Sequence, residues 1–364
     1  MLKNGLGELI DDNVGNATRF VDLFSGSGAV AIHVAQRYPI AVEAYDLQQY
    51  SAVLVNAVVA RSRMLRVEQI WTHWHKRARD IHDRVRFPSF NVSITRSSVS
   101  AMRRWCEQQG KLPITQAYGA HYFSPQQAIW LDALRQTLPE ERSPKLASLA
   151  ALIRAASQCA AAPGHTAQPF QPTIGAKKYL VQAWSIDILH KVESDLRFIA
   201  NTHSIVPGNA HVADANSAAK KLHKRDLVFI DPPYSGVHYS RFYHVLETIA
   251  AGTCGEVTGV GRYPHSDKRP RSRYSLKGES SAALDELLCK VAEQKANAIL
   301  TFPDHECSNG LSGEEVRQLC AAHFEVREKL VDSRFSTMGG SRGDAGGRGG
   351  RQNARELILV LKPR

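Results

Sequence analysis

Long apolar runs are missing from this chain of 364 residues; none approaches the ~18 residues that a membrane-spanning helix needs. Its first 30 residues also lack the basic-then-apolar pattern of an export signal. Both absences lead us to expect a cytoplasmic protein with no membrane partner. Cysteine is sparse as well. The six residues Cys106, Cys159, Cys254, Cys289, Cys307 and Cys320 form no C-x-x-C pair, so free thiols are expected rather than a disulfide framework. Neither G-x-G-x-x-G nor G-x-x-x-x-G-K-[ST] occurs, which leaves dinucleotide and triphosphate loops without their motifs. Internal repeats are also absent.

What is present is ordinary in amount and uneven in placement. A hydrophobic content of 43% and a charged content of 22% suit a globular chain with one large or two smaller domains. The formal net charge is +11, and residues 61–180 hold 18 Lys and Arg against 7 Asp and Glu. The whole excess therefore sits in one third of the chain. A neutral scaffold with a basic insert points to a polyanionic partner, most simply nucleic acid. The plainer alternative is a solvated basic surface.

From Arg19 to Ala35 the sequence reads RFVDLFSGSGAVAIHVA, an apolar run, a Gly/Ser loop and a helical pattern. A second strand is expected over 40–47 and a second helix to about Arg63. This is a β-α-β unit of the kind that begins a doubly wound α/β sheet. The pattern then breaks for about 120 residues. That segment is rich in Arg, Trp and His, with helix candidates at 125–137 and 145–162, and reads as an inserted subdomain. Scaffold elements return after Tyr179: HVADAN at 211–216, the strand DLVFI, a helix over about 240–250, a basic loop at 259–278, a helix at 280–296 and the strand NAILTF. HFEVREKLV and ELILVLK flank a glycine-rich stretch at 339–350 and read as an antiparallel edge hairpin.

Two motifs carry chemistry. In Phe24-Ser25-Gly26-Ser27-Gly28 the glycines permit a sharp turn, and the following helix aims its N–H groups and positive dipole end at an anion. Asp46 follows Gly28 by 18 residues, near the ~20-residue spacing at which an acidic residue meets ribose hydroxyls. An ordinary tight turn is the alternative. The second motif, Asp231-Pro232-Pro233-Tyr234, ends the run DLVFI. It sets a carboxylate, a constrained carbonyl and an aromatic face at the end of a strand, where open α/β sheets bind ligands. Such a site accepts hydrogen bonds from an amine and stacks on a flat ring, as a nucleobase amine requires.

Taken together, VDLFSGSGAVA, DLVFIDPPYSGVHYSRFYHVLET, YFSPQQAIWLDALR, STMGG and ARELILVL resemble the class I S-adenosylmethionine-dependent methyltransferases. More narrowly, the chain resembles the D12-class (Dam-related) DNA adenine-N6 methyltransferases. The resemblance implies a doubly wound, mostly parallel seven-stranded sheet with a largely helical insert. Residues 1–63 and 179–364 would form the catalytic domain, and 64–178 a basic target-recognition subdomain. It implies that Asp22, Phe24, Ser25, Gly26 and Gly28 hold the methionine part of S-adenosylmethionine. Asp46 would bind its ribose, and Asp214 with Ala215 its adenine. Asp231 and the Pro232 carbonyl would accept the target amine, and Tyr234 would stack on the flipped base. An Asp231 of ordinary acidity is already ionised for that task. Relatives place a glycine–lysine segment before the first strand; Leu2-Lys3-Asn4-Gly5-Leu6-Gly7 stands in its place, and a chain extended upstream is expected to bind cofactor more tightly.

DNA contacts are expected from Tyr239 and Arg241 beside the motif, and from Trp71, Trp74, Lys76 and Arg77 in the densest basic–aromatic cluster. The alternatives are a helix packing on the sheet, which suits Phe242 better, and half-buried tryptophans on a solvated helix. A metal site at His73, His75 and His82 lacks a fourth ligand, and no metal is expected. Arg342, Arg348 and Arg351 among glycines, and the basic loop Arg262–Arg273, are further candidates for phosphate contact. A cognate restriction nuclease is a conceivable partner of such an enzyme. Three other functions compete: cytosine-N4 methylation of DNA, adenine-N6 methylation of RNA, and nucleic-acid binding without catalysis. Cytosine-C5 methylation needs a Pro-Cys nucleophile, and no cysteine here follows a proline.

Overall fold

The computed structural model describes residues 2–88, 93–335 and 352–364, with backbone alone at 333–335 and 352–354. The glycine-rich stretch 339–350, Arg351 and the STMGG segment lie outside the described residues.

Seven strands form the main sheet: β1 (Arg19–Asp22), β2 (Ala41–Asp46), β3 (Asn209–Val212), β4 (Asp226–Ile230), β5 (Asn297–Pro303), β6 (Phe324–Phe335) and β7 (Gln352–Pro363). Their order is β3-β2-β1-β4-β5-β7-β6. β1 runs parallel to β2 and to β4, with Asp22 level with Ala44 and with Phe229. β4 runs parallel to β5, from Leu227 beside Asn297 to Ile230 beside Leu300. Every residue of β4 is buried, which is why its sequence is a continuous apolar run rather than an alternating one. β7 is antiparallel to both β5 and β6. The sheet is therefore mixed, and the C-terminal hairpin expected from its two apolar runs is present at the β6 edge.

Residues 1–47, 211–238 and 271–364 form one compact unit, and residues 48–210 and 239–270 form a second. In the first, the helix α1 (Ala29–Arg37) follows the glycine loop, as the strand–turn–helix reading requires. A helix over Ser280–Glu293 precedes β5, and its buried face carries Leu284, Leu287, Leu288 and Val291. That spacing of three and four is the apolar stripe of a helix packed on one side.

The second unit is helical. Arg142–Cys159 is buried over most of its turns, and its alanine-rich sequence LASLAALIRAA explains how neighbouring helices approach it. Helices Gln49–Val59 and Ile188–Asn201 contribute to the same core as Trp74, Tyr118 and Tyr122. Helix Pro125–Gln136 starts at a capping box in which the Ser124 hydroxyl accepts from Gln127 N–H and the Gln127 side chain accepts from Ser124 N–H. The helix expected over about 240–250 is broken at Tyr243 into Tyr239–Phe242 and His244–Ala251. The Glu247 carboxylate in its second half accepts the N–H groups of Gln49 and Tyr50 at 2.9 and 3.0 Å, and so caps helix Gln49–Val59. Among the described residues no helix is long and apolar enough to cross a membrane.

Candidate active site

Asp22 closes β1 and is buried, and its Oδ1 accepts the N–H of Phe24 at 3.2 Å. Two glycines then turn the chain, Gly26 at φ +50° and Gly28 at φ +81°, in the left-handed region that side-chain-bearing residues rarely enter. Gly28 opens α1 without any side-chain cap. The Asp22 carboxyl takes up the Ala31 N–H in the first turn of that nine-residue helix, so β1 itself supplies a partner for the helix N-terminus. Ser25 N–H donates to Tyr45 O at 2.9 Å, and Gly26 N–H donates to Asp46 Oδ2 at 2.9 Å. Asp46, at the end of β2, therefore holds the glycine loop against the neighbouring strand. Burial pushes the Asp22 carboxyl up to about 8; the Phe24 N–H opposes this, and the carboxyls of Asp231 and Asp46 reinforce it.

Asp231 follows β4 by one residue. The parallel register that pairs Ile230 with Leu300 brings Asp231 beside Thr301, whose hydroxyl donates to Asp231 Oδ1 at 2.9 Å. Burial pushes the Asp231 carboxyl up to about 7, the Thr301 bond pulls it down, and the Glu356 carboxyl on β7 adds to the rise. The expectation of ordinary acidity is corrected here: this end of the strand is too poorly hydrated for it. Pro232 is buried and Tyr234 half-buried. Asn309, fully buried, donates from Nδ2 to Pro233 O at 2.9 Å and to Tyr274 O at 3.0 Å. It locks the proline loop in place. The Tyr274 ring in turn meets the Phe24 ring edge-on at 5.0 Å, and its hydroxyl donates to Asn216 Oδ1 at 2.6 Å.

Thr301, Asn309 and Tyr274 were missed from sequence. Thr301 alone left a sign there, as one hydroxyl inside the apolar strand AILTF. Replacing Asn309 with Ala strands two carbonyls and should cost about 1–3 kcal/mol. Thermal denaturation reads this directly, and an unchanged Tm would mean that the loop is held by something else.

Asp214 caps the short helix Ala215–Ala219 by accepting Ser217 N–H at 3.1 Å, and Ala215 is buried beside it. Asp22, Phe24–Gly28, Asp46, Asp214, Ala215 and Asp231–Tyr234 all fall in the first unit.

The other expected contact residues fall in the second unit and divide sharply. Trp74 is fully buried, and its indole N–H donates to Leu134 O at 2.9 Å. Its assignment as a base-stacking residue is corrected to a core residue, since no face of the ring is left open. Trp71 is half-buried and stacks on His75 at 5.1 Å, and His82 stacks on Trp130 at 4.0 Å. Lys76 and Arg77 are exposed, and Arg77 also donates to Thr137 O at 2.7 Å. Phe242 is buried, as a packing residue should be. Arg241 is exposed, with its guanidinium 4.7 Å from the Tyr263 ring centre. Tyr239 is half-buried against Phe242 and Tyr243.

The family model described as D12 class N6 adenine-specific DNA methyltransferase matches residues 2–93 and 187–292, more than half of the chain. M.FokI, a type II methyltransferase of Planomicrobium okeanokoites, is 26% identical over 333 residues, covering 88% of this chain and 46% of that protein. Modification methylase StsI of Streptococcus sanguinis is 23% identical over 336 residues, covering 87% and 44%. The chain thus spans a little less than half the length of these two relatives.

Proposed function

From a chain that belongs to the family of D12 class N6 adenine-specific DNA methyltransferases, we infer a site-specific enzyme that methylates adenine N6 in DNA. The observation that carries this reading is Asp231, held by Thr301 beside the two prolines and Tyr234 at the carboxyl end of β4. An exocyclic amine is a poor nucleophile because its lone pair is delocalised into the ring. Hydrogen bonds from its two N–H groups to Asp231 and to the Pro232 carbonyl favour a pyramidal nitrogen with its lone pair directed at the methyl donor. Tyr234 offers a face to a base taken out of the duplex, which offsets part of an unstacking cost of about a few kcal/mol. The incoming methyl replaces one amine proton. Asp231, lifted toward neutrality by its surroundings, is suited to accept that proton.

The first unit's residues fit S-adenosylmethionine. A helix N-terminus behind two left-handed glycines lets a carboxylate approach the backbone closely. Asp22, Phe24, Ser25, Gly26 and Gly28 would hold the methionine part, Asp46 the ribose, and Asp214 with Ala215 the adenine. When bound, the sulfonium supplies an electrophilic methyl group, so the protein's work is positioning and exclusion of water. We assign the helices around the sheet to the doubly wound arrangement of class I methyltransferases, and residues 64–178 to target recognition. Exposed Lys76 and Arg77 would meet phosphates, and Tyr239 and Arg241 would meet the strand around the flipped base. The kinds of protein to which these relatives belong, a type II methyltransferase and a modification methylase, support a place in restriction–modification, with a nuclease of the same specificity as partner and the cytoplasm as location.

Incubation with isotopically labelled cofactor and mixed-sequence DNA, followed by mass spectrometry of the nucleosides, tests the reading. Labelled N6-methyladenine is the expected product. N4-methylcytosine as the sole product, label in RNA alone, or cofactor binding with no transfer would each overturn it.

A further inference from the structure

We propose that Thr301 is a positioning residue for the amine acceptor, fixing the Asp231 carboxylate through one oxygen and keeping it anionic for its work. The inference rests on the role given to Asp231 above. Thr301 is completely buried in β5, between Leu300 and Phe302, where valine would fill the same volume without a hydroxyl to satisfy. Its backbone is already engaged in the β5–β7 ladder opposite Ile358. The hydroxyl is therefore left for Asp231 Oδ1, 2.9 Å away. A β-branched side chain in a strand has few rotamers, so the donor direction is set by the backbone.

The groups around Asp231 make that bond consequential. Burial disfavours the Asp231 charge most strongly, and the Glu356 carboxyl on β7 adds to this. The Thr301 hydroxyl works against both. With one oxygen fixed, the carboxylate plane is oriented and its other oxygen has a defined direction toward the amine.

Thr301→Val, Thr301→Ser and Asp231→Asn, singly and combined, separate positioning from mere packing. The folded-state pKa of Asp231 lies above its unfolded value of 3.8. Its contribution to stability is therefore present at acid pH and lost as pH rises through about 7. Removing the donor deepens that loss. The Tm gap between wild type and Thr301→Val, measured without any ligand, should widen from pH 5.5 to pH 9. Thr301→Ser should close it, and in the Asp231→Asn background it should not change with pH. In single-turnover methylation of DNA, the acid limb should move up by about one pH unit in Thr301→Val, about a fivefold loss at pH 7 that approaches tenfold at lower pH.

A gap that does not vary with pH, together with an unmoved acid limb, would overturn the proposal and leave Thr301 a packing residue. If the stability gap behaves as expected but the wild-type protein methylates nothing at any pH, the Thr301–Asp231 link stands and the functional reading falls.

Discussion

Replacing Asp231 with Ala should reduce methyl transfer by about a thousandfold or more while leaving the cofactor dissociation constant within about twofold. The two parts of this result are separable because the residues differ. The Asp231 carboxyl is bonded to Thr301 on β5, whereas Asp46 is bonded to the glycine loop at Gly26. Single-turnover transfer and calorimetric titration of cofactor measure the two separately. Substantial residual transfer would show that the amine is held elsewhere. Loss of cofactor binding instead would mean that Asp231 supports the first pocket through Asp22. Asp231→Asn carries a further signature. It deletes an ionisation that the fold resists, so it should raise the Tm at pH 8 relative to wild type and lower that advantage toward pH 4. A buried carboxylate that costs stability in this way is a common trade between stability and activity.

The second large effect belongs to Trp74. Truncation to Ala should destabilise the second unit by about 3–5 kcal/mol, the range for a fully buried tryptophan. The Leu134 carbonyl would lose its donor at the same time. Chemical denaturation gives the value, and Lys76→Ala is the natural comparison. Exposed Lys76 should leave stability within about 0.5 kcal/mol. Its loss should weaken DNA binding and reduce the salt slope of that binding by about one. A Trp74→Ala protein of unaltered stability that binds DNA poorly would reverse the assignment.

These cases show which parts of the molecule are legible in sequence. F-S-G-S-G declares itself because glycine alone satisfies the observed backbone at Gly26 and Gly28. The run DLVFI declares itself because a strand buried on both faces is apolar at every position. The edge hairpin follows from its two apolar runs. Trp74 was misread by neighbourhood, as part of the string WTHWHKR, when its helical position was the better guide. Val67, Trp74 and Ala78 are the buried residues of that helix, seven and four apart, and Trp71, four after Val67, packs half-buried at the edge of the same stripe. The acidity of Asp231 was beyond sequence reasoning. It depends first on burial and then on Thr301 and Glu356, which only the pairing of β4 with β5 and of β5 with β7 brings close. Asn309 left no sign, since an asparagine in a Ser-Asn-Gly loop reads as a turn residue.

The sheet order has a consequence for how the chain comes to life on the ribosome. β7 follows both β5 and β6 in sequence but lies between them in the sheet. Until it has been synthesised, β5 presents an open edge, and β6 has no partner to join it to the sheet. From the synthesis of β5 until that of β7 the nascent chain thus carries an unprotected apolar strand edge, a template for pairing with other chains. Glu356 also arrives on that strand, so the neutral-leaning carboxyl of Asp231 takes its final environment only when translation of the sheet is finished. Slow or truncated synthesis should therefore yield aggregation rather than a partly working enzyme.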